Sequence, residues 1–109
     1  MNFPELSHDQ VLVLECIGTA ELKGRHLREQ LAENNRKKSG PAFYQMMSRM
    51  EESGFVEGWY EQRIVEGQII KERTYKMTGK GHRALADTLE YYRLRLHRNP
   101  GLGGGLVDA

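Results

Sequence analysis

Between Arg36 and Met50 the chain carries four cations (Arg36, Lys37, Lys38 and Arg49) and not one Asp or Glu. Within that stretch Phe43, Met46, Met47 and Met50 recur at i, i+3, i+4 and i+7, the spacing of a helix that buries one side. Burying that stripe leaves Ala42, Gln45, Ser48 and Arg49 on the outside. An exposed face of amides, a hydroxyl and a cation can approach phosphates without repulsion. Directly after it the pattern changes. Phe55, Val56, Trp59, Tyr60, Ile64 and Val65 are strand formers, Glu66-Gly67 is a turn signal, and Ile69, Ile70, Thr74, Tyr75 and Met77 follow. A short helix feeding a long hairpin leaves few folds open.

The preceding residues supply two more helices. Ser7 and Gln10 have capping-box spacing, and Val11, Leu12, Leu14, Cys16 and Ile17 continue as an apolar stripe, predicting a helix over 8–17 that stops at Gly18. A second helix is predicted from Leu22 or Gly24 to Asn34, with Leu27 and Leu31 inside. Ser39-Gly40-Pro41 then offers a cap and a first-turn proline for the third, over 41–52. Three short helices with tight breaks outline a helix-turn-helix, and a hairpin after the third reads as a wing with a basic tip and return strand.

Thr78 can cap a last helix despite the glycines in its first turn. Leu85, Leu89, Tyr92 and Leu96 are spaced 4, 3 and 4, a heptad-like seam that needs a partner. Packing back on the first helix would cover part of it, and the same helix of a second copy would cover all of it. The expected fold is mostly α with a β-hairpin wing: a winged helix-turn-helix over 1–78, a dimerisation helix over 79–99 and a mobile glycine-rich tail over 100–109.

A net charge of +1 is weak evidence for a polyanionic partner, so the case rests on where charges lie. Residues 1–35 hold six acids against three bases and 51–70 five against one, whereas 71–98 hold eight bases against three acids. Such segregation gives the molecule a basic side. Cys16 is the single cysteine and sits on the first helix's apolar stripe, so no intrachain disulfide or thiolate cluster arises. Neither a signal-peptide pattern nor an apolar run long enough to span a membrane occurs, which predicts a cytoplasmic, membrane-free protein. The four histidines lack ligand-like spacing, and Gly79-Lys80-Gly81 lacks the other positions of a nucleotide loop. The chain reads as a non-enzyme without metal or cofactor.

The candidate DNA contacts are therefore specific. Gln45 can pair with adenine, Arg49 with guanine, and the Ala42 methyl can pack on thymine, with Ser48 beside them. Ser39 and the free amides after it form a phosphate clamp, and Lys37 and Lys38 add salt-sensitive affinity. Tyr44 either reaches a phosphate or roofs the core. In the wing the candidates are Arg63, Lys71 and Arg73, with Arg63 close to Lys71 across the hairpin. Cross-strand pairing with Glu61, Glu66 and Glu72 would remove one or two of them from that role. Trp59 either packs on the last helix or lines a pocket near the seam.

Two segments resemble the PadR family of bacterial winged-helix transcriptional regulators, over roughly Val11 to Arg98. One runs from Gly40 to Val56 (GPAFYQMMSRMEESGFV), similar to the family's small-residue, aromatic-Tyr recognition helix and its Gly-containing turn. The other is Thr74 to Gly81 (TYKMTGKG), similar to the end of the family's wing. Gly24 matches the glycine that opens the second helix. Arg25 and Gln45 stand where the family often has Tyr and Pro, so relatives' operator preferences do not transfer. The resemblance implies a sequence-specific regulator, usually a repressor of nearby genes. It implies a homodimer held by the last helix with the first, a role for Tyr44 beyond core filling, and a small aromatic effector at the dimer interface. The competing expectation is a winged-helix protein-interaction module, which would need an exposed apolar patch on the third helix or the wing.

Overall fold

The computed structural model describes residues 6–98. In chain order it contains α1 (His8–Ile17), β1 (Leu22–Lys23), α2 (Gly24–Glu33), α3 (Gly40–Glu52), β2 (Val56–Val65), β3 (Gln68–Met77) and α4 (Gly79–Arg98). Asn99 and the expected tail over 100–109 lie outside the described residues.

Local chemistry sets the boundaries. The Ser7 Oγ accepts from the Gln10 amide at 3.2 Å and Gln10 Oε1 accepts from the Ser7 amide at 2.9 Å, closing the capping box of α1. Asn35 ends α2 with a φ of 59°. Gly54, at a φ of 81°, ends α3, where the Phe55 amide bonds back to the Met50 carbonyl. Between β2 and β3, Glu66 and Gly67 both have positive φ, the two-residue turn whose twist matches that of the strands.

The sheet has one strand more than the sequence pattern suggests. Its order is β1-β3-β2, all antiparallel, with Leu22 opposite Tyr75 and Lys23 opposite Thr74. Two residues carry no periodicity, so β1 reads in sequence as the start of α2. Its pairing ties the chain just before α2 to the base of the wing.

One core joins these elements. Val13, Leu14 and Ile17 of α1 meet Leu27 and Leu31 of α2, and Phe43, Met46, Met47 and Met50 of α3 close over them. Phe55, Val56, Tyr75 and Met77 bring in the base of the hairpin, and Ala84 and Leu85 of α4 pack at the edge. All four apolar positions of the α3 stripe are buried, which fixes which side of α3 faces outward.

Candidate nucleic-acid interface

With that stripe inside, Ala42, Gln45, Ser48 and Arg49 are all exposed on α3. Arg49 has no ion pair among the described residues, so its guanidinium fork is available. At the head of the helix the Ser39 Oγ accepts from the Ala42 amide at 3.2 Å, and the Phe43 amide bonds to the Ser39 carbonyl. Pro41 has no N–H. The clamp expected at this end is thus reduced to the Gly40 amide and the Ser39 hydroxyl hydrogen.

Tyr44 roofs the core while leaving part of its side chain in solvent. Its ring meets Phe43 edge-on, with centroids 5.0 Å apart, and lies against Gly24, where a Cβ would stand 2.9 Å from a ring carbon. The side chain nevertheless remains exposed on one flank. There it lines a groove of about 730 Å³ between α2, α3 and the wing, together with Arg28, Ser48, Tyr60 and Lys71. Glycine at the head of α2 thus lets the helices approach closely enough for Tyr44 to serve both core and groove.

The basic turn before α3 is anchored rather than free. Asp9 of α1 binds Arg36 at 2.5 Å and Lys38 at 2.8 Å, while Lys37 is exposed with no ion pair among the described residues. Burial pushes the Asp9 carboxyl up, but bonds from Arg36 and Lys38 outweigh it and hold the pKa below the ordinary aspartate value of 3.8. A carboxyl with a lower pKa in the folded than in the unfolded chain stabilises the fold above its unfolded value. That contribution disappears as pH falls through the folded value. Asp9→Asn should therefore cost about 2 kcal/mol at neutral pH, where bonds to charged groups are lost. Urea melts should show the gap from wild type closing in acid, and a pH-independent gap would assign the loss to packing.

Register decides which way the wing cations point. Arg63 faces Ile70 and Lys71 faces Gln62, so the two lie on opposite sides of the ribbon instead of adjacent as expected. Arg63 binds Glu72 at 3.1 Å, and Lys23 and Arg25 reach the same carboxylate, each at 3.4 Å. Arg73 binds Glu51 of α3. Lys71 alone of the three wing candidates has no ion pair among the described residues. Trp59 donates to Glu61 Oε1 at 3.0 Å, on the face that carries Arg63. Nor is the tip basic: residues 64–70 include no cation, and Ile64 and Ile69, paired across the strands, are 75% and 66% exposed.

On α4, Leu85 is half-buried against the core, but Leu89, Tyr92 and Leu96 are 44%, 51% and 49% exposed. Packing on the chain's own body runs through the neighbouring stripe of Gly81, Ala84 and Thr88. The expected seam is thus largely uncovered within one chain. No helix among the described residues is long and apolar enough to cross a membrane.

No protein-family model and no curated protein matches the chain. Among solved structures, it superposes on a PadR family transcriptional regulator from Eggerthella lenta with a TM-score of 0.66 and 22% identity, over 89% of this chain and 80% of that one. A PadR family transcription regulator from Clostridium difficile gives a TM-score of 0.64 and 16% identity, over 93% and 99%. Bacillus subtilis PadR, solved in complex with operator DNA, gives 0.59 and 18%, over 73% of this chain and 45% of that one. Four helices, a short first strand and a long hairpin in this order are the PadR-like winged-helix fold, and this chain has it.

Proposed function

We propose that the chain is a PadR-type transcriptional regulator that binds double-stranded DNA sequence-specifically as a homodimer and represses nearby genes in the cytoplasm. The observation that carries this reading is the outer face of α3. Ala42, Gln45, Ser48 and Arg49 are exposed together on a helix whose opposite face is entirely buried, next to a hairpin of two ten-residue strands. Such a helix can enter a major groove while Lys37 and Lys71 remain available for phosphates. The likeness to a regulator solved with operator DNA supports it. Dimerisation falls to Leu89, Tyr92 and Leu96, with Leu85 at the edge of the subunit's own core, and a small aromatic effector would sit between the subunits.

The direct test is a gel shift with DNA from upstream of the chain's own gene, repeated at two salt concentrations. Arg49→Ala should lower discrimination between operator and scrambled DNA by about 1–3 kcal/mol, the worth of one guanine contact. Equal loss on both DNAs would assign Arg49 to phosphate instead. One observation favours the interaction-module reading, namely the exposed Ile64–Ile69 pair at the wing tip. A chain that shifts no DNA even at low salt would favour it.

A further inference from the structure

Arg73 is one of the wing cations that the sequence offers to DNA, yet the fold uses it elsewhere. Its guanidinium binds the Glu51 carboxylate of α3 and lies over two rings, 4.7 Å from the Tyr60 centroid and 5.6 Å from that of Tyr75. Gly58 makes the room: a Cβ there would overlap both the carboxylate and the guanidinium. The preceding residue on β3, Glu72, points to the other side of the ribbon and gathers Lys23 of β1, Arg25 of α2 and Arg63 of β2. Two consecutive residues therefore fasten the wing, one to α3 and the other to α2.

The fastening matters because a two-stranded ribbon is marginal by itself and twists readily beyond the core that supports it. The angle between wing and α3 must then be set at the wing's base. Charge adds a second requirement. Glu51 follows Tyr44 and Ser48 at seven and three residues' distance on the groove side of α3, and all three line the groove. A bare carboxylate there would repel a phosphodiester strand.

We infer that Arg73 is a positioning residue and not a phosphate ligand: with Glu51 it forms a strut that holds the wing at a set angle to α3 and cancels the carboxylate facing the groove. This inference rests on the DNA-binding reading above. Losing Arg73 removes the strut and exposes Glu51. Losing both removes the strut but leaves no stray charge, so the double variant binds better than the single one. A phosphate ligand behaves otherwise, because its loss persists whatever happens to Glu51.

Gel-shift titrations of wild type, Arg73→Gln, Glu51→Gln and the double variant, on one operator at three salt concentrations, separate these roles. Arg73→Gln should weaken binding roughly tenfold, as removal of one partner from a close charge pair does. Adding Glu51→Gln should recover about threefold or more, the coupling expected of touching groups. The double variant should also keep the wild-type slope of log affinity against log salt. No recovery, with a slope shallower by about one, would make Arg73 a phosphate ligand and overturn the strut. Thermal melts guard against misfolding, and if Arg73→Gln unfolds, the double variant's salt slope against wild type still decides. Wild type that shifts no DNA overturns the DNA-binding reading and the strut with it, a failure visible in the first lane.

Discussion

Leu89→Asp with Leu96→Asp should convert the proposed dimer to a monomer in sedimentation velocity while leaving its helical circular dichroism intact. Both side chains are nearly half exposed in one subunit, so charging them removes little from the chain's own core. Across a two-fold seam the same carboxylates would have to be buried against leucine and tyrosine, at a cost that ends association. Substitution is a cleaner probe than truncating α4, because Ala84, Leu85 and Thr88 are built into the body of the subunit. Operator affinity should fall by on the order of a hundredfold or more, since the second half-site loses its effective concentration. A variant that remains dimeric would move the interface off this stripe.

The second large effect is on folding. Gly81→Ala should destabilise the chain by about 2–3 kcal/mol, the usual result of forcing an extra methyl into a packed site. A Cβ at this position would collide with the Phe55 carbonyl and crowd Met77. That carbonyl already accepts the Thr78 amide at 3.0 Å, while the Thr78 hydroxyl donates to the Gly54 carbonyl at 2.5 Å and accepts the Gly81 amide at 2.9 Å. The start of α4 is thus latched to the turn after α3, and neither backbone can move alone. Alanine's better helix propensity contributes only about 1 kcal/mol the other way, so the clash wins. Gly79→Ala is the matched control: its Cβ would meet only the Arg83 side chain, at 3.4 Å, and the propensity gain should appear as a small rise in Tm. An unchanged Tm for Gly81→Ala would show that the latch is loose.

Most of the fold is legible in sequence because it follows from local pattern. The α3 stripe, the caps at Ser7, Ser39 and Thr78, and the Glu66-Gly67 turn each need only a few neighbouring residues, and the structure has all of them. Strand β1 is different, since two residues become a strand only through Thr74 and Tyr75, some fifty positions away. The same holds for the charges. Which cations remain available depends on Asp9, Glu51 and Glu72, whose partners lie 9 to 49 residues off along the chain. A count of basic residues therefore overstates the wing. Strand parity, once the turn is placed, could have separated Arg63 from Lys71, and the apolar tip is plain in Ile64 and Ile69.

In the proposed dimer, the two stripes of α4 would give the protein a way to measure its own abundance. A subunit that completes its body with one stripe would exist alone, and the bare one beside it would find a twin only when enough copies were present. Operator occupancy would then climb with the square of subunit number at low expression, so a gradual rise in synthesis would turn into a sharp threshold.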